Sequence, residues 1–211
     1  MNYKKEKNLA RVGYFFIGLL GPLFFWAILY MFHFDNQAIN DVVQVVVEII
    51  LLWLSFRYFQ KSEIDKFCFP TKKQWLIFLV SLVTIFIFSS VYSYFFDIYS
   101  GAETALKESY LENGYSLSLV SSLVFLAPLQ EELLMRGFIQ KGAFKNNWIG
   151  VLLAASIFAG FHYPENLVSF VHYAIAGLIF GYAYKKSNNL WISILCHAGI
   201  NTIFLITLLL V

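Results

Sequence analysis

The chain has 211 residues, of which 59% are hydrophobic and only 13% are charged. Because soluble domains usually carry about 25% charged residues, this composition excludes an ordinary soluble protein and predicts an integral membrane protein. The net charge of +2 gives no indication of a nucleic-acid partner, and none is expected. The length suits one domain, so residues 1–211 are interpreted as a single integral membrane domain.

Apolar stretches long enough to cross a bilayer follow one another along the chain. A span needs about 20 predominantly apolar residues, and the sequence predicts about seven spans, with six or eight left open. The fold class expected is therefore all-α, a polytopic membrane helical bundle. The second span is interrupted by Asp41, Gln44 and Glu48, and the fifth and sixth are short. The predicted spans are 12–32, 38–58, 75–96, 117–138, 148–163, 167–184 and 190–211.

The positions of the basic residues orient this bundle. Cytoplasmic loops of membrane proteins are enriched in Lys and Arg. If the N-terminus is cytoplasmic, the seven predicted spans put every Lys and Arg except Lys107 on the cytoplasmic side. Lys107 lies in an outer segment that also holds four acidic residues, and residues 101–113 of that segment are predicted to form a short interfacial helix. We therefore predict a cytoplasmic N-terminus.

Two adjacent carboxylates, Glu131 and Glu132, interrupt the fourth span. An acidic side chain at the centre of a span costs roughly 2.5 to 3.5 kcal/mol on insertion scales, so such groups face the bundle interior or a wet cavity and are functional candidates. Glu132 and Arg136 share a helix face at i, i+4. This spacing predicts a structural or substrate-orienting pair, or else an ordinary ion pair at the cytoplasmic edge. Glu131 points about 100° away and is left free for chemistry.

Two histidines in later spans have polar or aromatic neighbours at helical spacing. His197 and Asn201 lie at i, i+4, so Asn201 is expected to help fix the imidazole tautomer or to hold a water. Phe158 precedes His162 by four residues and is expected to pack beneath its imidazole. His172 in the sixth span is interpreted as a packing residue. For any one of these histidines alone, a packing or interfacial role is more common than catalysis.

A carboxylate, two imidazoles and an amide support one of two kinds of chemistry if they meet. If a divalent metal such as zinc is bound, its ligands are Glu131, His162 and His197, with a water in an open position. Alternatively, no metal or other cofactor is needed, and Glu131 acts as general base on a water that the imidazoles and Asn201 position. In both cases the expected reaction is attack of water on a carbonyl inside the membrane.

Three short motifs that contain these residues occur in order along the chain. They are Glu131-Glu132-x-x-x-Arg136, Phe158-x-x-x-His162 and His197-x-x-x-Asn201. Together they resemble the motifs of the CAAX protease and bacteriocin-processing family of intramembrane endopeptidases. The resemblance covers about 117–205, which is interpreted as the catalytic core, whereas the helices of 1–100 match nothing in particular.

The resemblance implies an all-helical membrane fold with its site in a cavity reached from the cytosolic side. It also implies that Glu131 activates water, while the two imidazoles and Asn201 position the water or stabilise the tetrahedral oxyanion. Helix lengths conflict with a single site, because at about 1.5 Å per residue Glu131 lies roughly 8 Å and His162 roughly 21 Å from the inner ends of their predicted spans. We expect the fourth span to bend at Pro128 and the fifth to start deeper.

The leading prediction is an endopeptidase that cuts a membrane-bound peptide or a lipidated protein on the cytoplasmic side. One alternative is a non-catalytic bacteriocin self-immunity or scaffold protein with a membrane protein partner. Another is a proton-coupled transporter, in which Asp41 and Glu48 join Glu131 along a path; otherwise Asp41 caps its helix and Glu48 pairs within the bundle. Richness in Phe, Ile, Asn and Lys favours a bacterial inner membrane over an endoplasmic reticulum.

Overall fold

A computed structural model of the chain describes residues 2–208, apart from the side chains of residues 2–7, Asn113 and Leu208. The end of the last predicted span, 209–211, lies outside the described residues, as do the side chains of the predicted cytoplasmic cluster Lys4, Lys5 and Lys7. Within the described part, the elements are helices, and none is a β-strand. The all-α prediction is therefore confirmed.

Residues 2–208 form nine α-helices and two π-helical segments. The α-helices are α1 (Asn2–Met31), α2 (Gln37–Lys61), α3 (Lys72–Phe95), α4 (Gly101–Asn113), α5 (Leu117–Ser121), α6 (Ala127–Glu132), α7 (Trp148–Phe161), α8 (Leu167–Ser187) and α9 (Leu190–Leu208). The first π segment is Ser122–Leu126 and the second is Leu133–Ala143. The short helix expected over 101–113 is confirmed as α4.

Six stretches of the described chain are long and apolar enough to cross a membrane. They are α1 from Asn8, α2, α3, the composite stretch Leu117–Ala143, α8 and α9. The apolar helix α7 is shorter, at 14 residues. These helices confirm a polytopic membrane bundle of about seven helices, with α4 as an additional helix between the third and fourth spans.

The fourth span is longer than the sequence indicates. It runs over 27 residues from Leu117 to Ala143, whereas the predicted span stops at residue 138. Glu131 therefore lies 12 residues before the end of this span at Ala143, and His162 lies 14 residues after the start of α7 at Trp148. This extension makes the distances of Glu131 and His162 from the ends of their helices comparable, so they no longer conflict with a single site. The helix α7 begins at Trp148, the first residue of the predicted fifth span. The bend expected at Pro128 stays a prediction, and the first π segment ends at Leu126, two residues before this proline.

The longer fourth span also corrects the position of Arg136. The charge pattern assigned it to the cytoplasmic edge, but its side chain is 0% exposed inside the bundle. Lys141 and Lys145 instead mark the basic end of this span, where Lys141 Nζ pairs with Asp65 Oδ1 at 2.7 Å. The ordinary interfacial ion pair considered for Arg136 is therefore wrong, because both partners lie in the interior.

Polar residues of α2 attach this helix to its neighbours. Ser118 Oγ donates to Asp41 Oδ1 at 2.7 Å, and Ser122 Oγ donates to Glu48 Oε2 at 2.5 Å. The cap of α2 is Asn36, whose side chain accepts from Ile39 N. Asp41 is therefore not a helix cap, whereas the interpretation of Glu48 as a residue paired within the bundle is confirmed.

Small residues let α7 and α8 approach closely behind the site. A Cβ added to Gly177 would lie 3.0 Å from the Cα of Ala155, so only glycine fits without a shift of the neighbouring backbone. The core around this contact contains the buried rings of Phe138, Phe158 and Phe180. The Gly177 carbonyl faces the fourth span, where it accepts a hydrogen bond from Arg136.

Candidate active site

The four residues predicted to be catalytic line one cavity of about 610 Å³. Glu131 comes from α6, His162 follows α7, and both His197 and Asn201 come from α9. Phe158 also lines this cavity, and its ring lies 4.4 Å from the His162 ring and 5.5 Å from the His197 ring, centroid to centroid. The structure therefore brings the three motifs together at a single place.

The two adjacent glutamates occupy different environments. Glu131 is partly exposed to the cavity, and no other described side chain forms a hydrogen bond or an ion pair with it. Glu132 is 0% exposed and has both carboxylate oxygens engaged. One carboxylate is thus available to act on a bound molecule, and the other is committed to the protein.

Glu132 holds two basic side chains at once. Its Oε2 lies 3.0 Å from Arg136 Nε, and its Oε1 lies 3.1 Å from His197 Nδ1. The pair predicted from i, i+4 spacing therefore forms, and Glu132 has an additional contact to α9 that the spacing does not indicate. The partner of His197 Nδ1 is Glu132, so the expected hydrogen bond from Asn201 to this imidazole is not the one that forms.

Arg136 is surrounded by aromatic rings and a backbone acceptor. Its Nη2 donates to the Gly177 carbonyl at 2.8 Å, and its Cζ lies 4.9 Å from the Phe158 centroid and 5.6 Å from that of Phe180. Nη1 has no hydrogen-bond partner among the described residues. Because a buried charge is costly unless paired, Arg136 depends on Glu132 and on these ring faces.

The hydrogen bonds of the two imidazoles determine which nitrogen carries the proton. His162 Nδ1 lies 2.9 Å from the Phe158 carbonyl, and a carbonyl only accepts, so Nδ1 is the donor. His197 Nδ1 likewise faces a carboxylate oxygen. In the neutral state Nε2 of each ring is therefore an acceptor, and no other described residue forms a hydrogen bond with it.

Asn201 is held by the backbone of the first π segment. Its Nδ2 donates to the Leu123 carbonyl at 2.9 Å. In this segment Ala127 N bonds to Ser122 O, five residues back, so the next donor in the same pattern would be residue 128. Pro128 has no N–H. The Leu123 carbonyl is therefore left without a helical partner, and the Asn201 amide satisfies it.

If the site hydrolyses a peptide as the sequence predicts, replacing Pro128 with Ala is expected to lower kcat about two- to tenfold with a smaller effect on KM. The alanine N–H competes with Asn201 for the Leu123 carbonyl, and one hydrogen bond of this kind is worth about 0.5–1.5 kcal/mol. Steady-state rates of wild type and variant measure the effect. Pro22→Ala, which alters another proline inside a spanning helix, is the control. An equal loss in both variants would contradict this role for Pro128.

The turn after α7 fixes His162 against the outer segment. Gly101 N donates to the Tyr163 carbonyl at 3.0 Å, and Glu165 N donates to the Tyr99 carbonyl at 3.1 Å. Tyr163 has a positive φ of 49°, which turns the chain away from the helix axis. His162 is thus held at the end of a short helix by the connection between α3 and α4.

Two residues of α8 contribute to the site although sequence reasoning did not select them as functional. The Tyr173 ring stacks on His162 with centroids 4.3 Å apart, and its hydroxyl lies 2.8 Å from Ser100 Oγ. His172 lines the cavity and packs against the Phe88 ring, with both its nitrogens buried and unpaired among the described residues. The packing predicted for His172 is present, whereas no local sequence pattern indicates the contact of Tyr173 with a histidine eleven residues away.

A second cavity adjoins the first on its α2 side. Its volume is about 640 Å³, and it shares Leu106, Leu123 and Ala127 with the first. Glu48 lines the second cavity, while Glu131 lines the first. The buried Glu48 and the partly exposed Glu131 therefore line neighbouring cavities that share an apolar wall, and Ser122, which lines the second cavity, donates to Glu48.

The residues considered as metal ligands do not form a ligand cluster. Among the residues that the structure describes, no three His, Cys, Asp or Glu side chains are grouped in a way that could hold a metal ion. Glu131, His162 and His197 share the cavity without converging on one point, so they do not fit the metal site that was considered.

The cavity extends toward α4 and away from the basic loops. Its deep lining includes Phe180 and Ile85, and its lining at the other end includes Asp97 and Glu103. If the N-terminus is cytoplasmic, this end lies outside the cytoplasm. The access from the cytosolic side that the family resemblance implies stays a prediction.

Comparison with known proteins identifies the part of the chain that carries the motifs. The family model described as type II CAAX prenyl endopeptidase Rce1-like matches residues 113–203. This range contains the first π segment and all four residues predicted to be catalytic. A search of curated proteins and a search of solved structures each gave no match.

Proposed function

Because residues 113–203 of the chain belong to the Rce1-like family of type II CAAX prenyl endopeptidases, we propose that this protein is an intramembrane endopeptidase. In this proposal it hydrolyses a peptide bond in a membrane-bound or lipid-modified peptide. The family is a protease family, and the spanning helices make the protein a multi-pass membrane protein. The observation that carries the proposal is the cavity that gathers Glu131, His162, His197 and Asn201.

Glu131 is the group that activates water. It faces the cavity without a protein partner, so its carboxylate is free to accept a proton. As the water oxygen bonds to the scissile carbonyl carbon, its proton passes to Glu131, and the carbonyl oxygen becomes the oxyanion. When the carbon–nitrogen bond breaks, Glu131 returns that proton to the leaving nitrogen, which restores the carboxylate.

Asn201 and the imidazoles position the water and stabilise the oxyanion. One N–H of Asn201 is used by the Leu123 carbonyl, and the amide has a second N–H for an oxyanion. His162 Nε2, an acceptor in the neutral ring, binds a hydrogen of the attacking water. His197 Nδ1 is bonded to Glu132, so the Nε2 of its neutral ring is a second acceptor that positions the attacking water. None of these steps uses a metal.

The proposal also assigns a role to the N-terminal helices. We interpret residues 1–211 as one domain, in which about 117–205 form the catalytic core. In this view α3 supplies one wall of the cavity, through residues such as Ile85 and Phe86. α1 supports the second π segment from behind, where Arg11 Nε donates to the Ala143 carbonyl at 2.7 Å.

The proposed function is tested by cleavage of defined peptides in lipid vesicles that contain the purified protein. One set carries a farnesylated Cys-a-a-X end, and a second carries an N-terminal acyl anchor. Mass spectrometry of the products is expected to show one cleavage position with wild type and with the control His33→Ala, but none with His197→Ala. Equal cleavage by wild type and His197→Ala, or no cleavage of either set by wild type, would overturn the proposal.

A further inference from the structure

The first π segment begins at a residue whose two backbone groups follow different helical patterns. Ser122 N donates to carbonyls of the preceding helix α5, three and four residues back, as at the end of an α-helix. The Ser122 carbonyl instead accepts from Ala127 N, five residues ahead. In a regular α-helix Ala127 N would bond to the Leu123 carbonyl, which in this structure is the acceptor of Asn201 Nδ2. The π pattern at Ser122 therefore leaves the Leu123 carbonyl free for Asn201.

The side chain of the same residue is bound by α2. Ser122 Oγ donates to Glu48 Oε2 at 2.5 Å, and Glu48 is 4% exposed. A serine hydroxyl within a helix can bond to a carbonyl of its own preceding turn, as Ser121 Oγ does with the Leu117 carbonyl. The hydroxyl of Ser122 is instead bonded to a neighbouring helix, at the residue where the backbone pattern changes.

The α-helical and π-helical patterns of this segment require different positions of the Ser122 side chain. A π turn spans one residue more than an α turn, and each residue of an α-helix corresponds to a rotation of about 100°. Conversion of the π turn to an α turn would therefore rotate the residues before it relative to those after it. The following helix α6 is fixed by the buried pair of Glu132 with Arg136, so this rotation would carry Ser122 away from Glu48. The bond between Ser122 and Glu48 therefore stabilises the π pattern against the α pattern.

We propose that Glu48 is a positioning residue that acts on the site through the first π segment. By holding Ser122 in the π pattern, it keeps the Leu123 carbonyl available for Asn201 and so fixes the direction of the second N–H of this amide. This inference rests on the proposed function, in which that N–H stabilises the oxyanion. Glu48 lines the second cavity and not the first, so it acts without touching a bound peptide. It lies in α2, outside the residues 113–203 that match the family model.

The role of Glu48 is tested first by steady-state cleavage rates. We expect Glu48→Ala to lower kcat about tenfold, the rate equivalent of one lost hydrogen bond to a charged group, with a smaller effect on KM. Glu48→Gln keeps an oxygen that accepts from Ser122 and should retain most of kcat. Asp41→Ala is the matched control, because Asp41 accepts from Ser118 in the same way one turn before the π segment, and its kcat should equal that of wild type. Equal losses in Glu48→Ala and Asp41→Ala, or a wild-type kcat in Glu48→Ala, would overturn the proposal.

A second comparison tests whether Glu48 acts through Asn201. Glu48→Ala is made in wild type and in Asn201→Ala, whose own kcat should be lower by about 100-fold, as for the loss of one oxyanion donor. If Glu48 acts through Asn201, Glu48→Ala lowers kcat in wild type and causes no further loss in the Asn201→Ala background. The same loss in both backgrounds would indicate a general effect on the fold and contradict the proposal. Ser122→Ala removes the same hydrogen bond and repeats the comparison if Glu48→Ala does not fold.

The Asn201 amide is also observed directly, by nuclear magnetic resonance of protein labelled with a nitrogen isotope in asparagine. The side-chain amide signal that is absent from Asn201→Ala is the signal of Asn201. We expect Glu48→Ala to move the hydrogen-bonded proton of this signal toward the position of a free amide, and Asp41→Ala to leave it in place. A signal that is unchanged in Glu48→Ala would overturn the inference.

The amide signal is read without peptide cleavage, so the two proposals fail in different ways. If wild type cleaves no peptide, the proposed function fails, and the Asn201 signal still decides whether Glu48 positions that amide. If wild type cleaves the peptide and the signal does not move in Glu48→Ala, the proposed function stands and only the role of Glu48 fails.

Discussion

Glu131→Gln is expected to lower kcat for peptide cleavage by at least about 100-fold, the lower end of the range for loss of a general base. The amide has nearly the same shape but does not accept the proton of the attacking water. Because the Glu131 carboxylate pairs with no described residue, the substitution leaves no buried group unpaired, and the folded protein should be as stable as wild type. Initial rates and thermal unfolding of the same preparation test both statements.

The control for this substitution is Glu108→Gln, at an exposed position of α4 outside the cavity lining. It replaces a carboxylate by the same amide at a position outside the cavity and should leave kcat unchanged. A Glu131→Gln variant that retains more than a tenth of wild-type kcat would exclude Glu131 as the base. Such a result would direct attention to His197, whose imidazole is already paired with a carboxylate.

Glu132→Ala should destabilise the protein by about 3–5 kcal/mol, the cost of leaving the other member of a buried ion pair alone. Arg136 is 0% exposed, so its charge has no route to water when the carboxylate is removed. His197 also loses the group that orients its ring. Unfolding of the detergent-solubilised protein measures the effect, and Glu131→Ala, the same truncation one residue earlier, is expected to cost much less.

A second substitution separates the charge of Arg136 from the packing around it. Replacing both members with apolar residues, as in Glu132→Met with Arg136→Met, removes the unpaired charge and should recover most of the lost stability. Activity should stay low, because His197 remains without its partner. A double variant as unstable as Glu132→Ala would show that the ion pair is not the source of the effect.

Local sequence patterns predicted those features that depend on neighbours within one helix. The apolar stretches predicted the helical bundle. The i, i+4 spacing predicted the pair of Glu132 with Arg136 and the packing of Phe158 under His162. The end of the fourth span was misplaced because Gly137, Lys141 and Gly142 resemble the start of a loop. In the structure the helix continues through them as a π segment, since its inner face is covered by other helices.

Local sequence patterns did not predict the contacts between different helices. The bond from Glu132 to His197 joins residues 65 positions apart, and that from Asn201 to Leu123 joins residues 78 apart. Both require the relative depth of two helices to be correct within one turn, and an error of a few residues at one helix end exceeds that tolerance. The role of Pro128 was anticipated only as a bend, because the free carbonyl it creates is visible only beside α9.

The burial of Glu132 with Arg136 has a consequence for the energy of the reaction. The two charges cancel, so among the residues deep in the described cavity Glu131 supplies the net negative charge. When Glu131 takes the proton of water, the same unit of charge moves to the oxyanion and the total is unchanged. A site surrounded by hydrocarbon penalises the creation of charge heavily, whereas a transfer of existing charge over a short distance avoids that penalty. In the proposed mechanism, hydrolysis within the membrane therefore creates no new charge, because the charge is present before the substrate arrives.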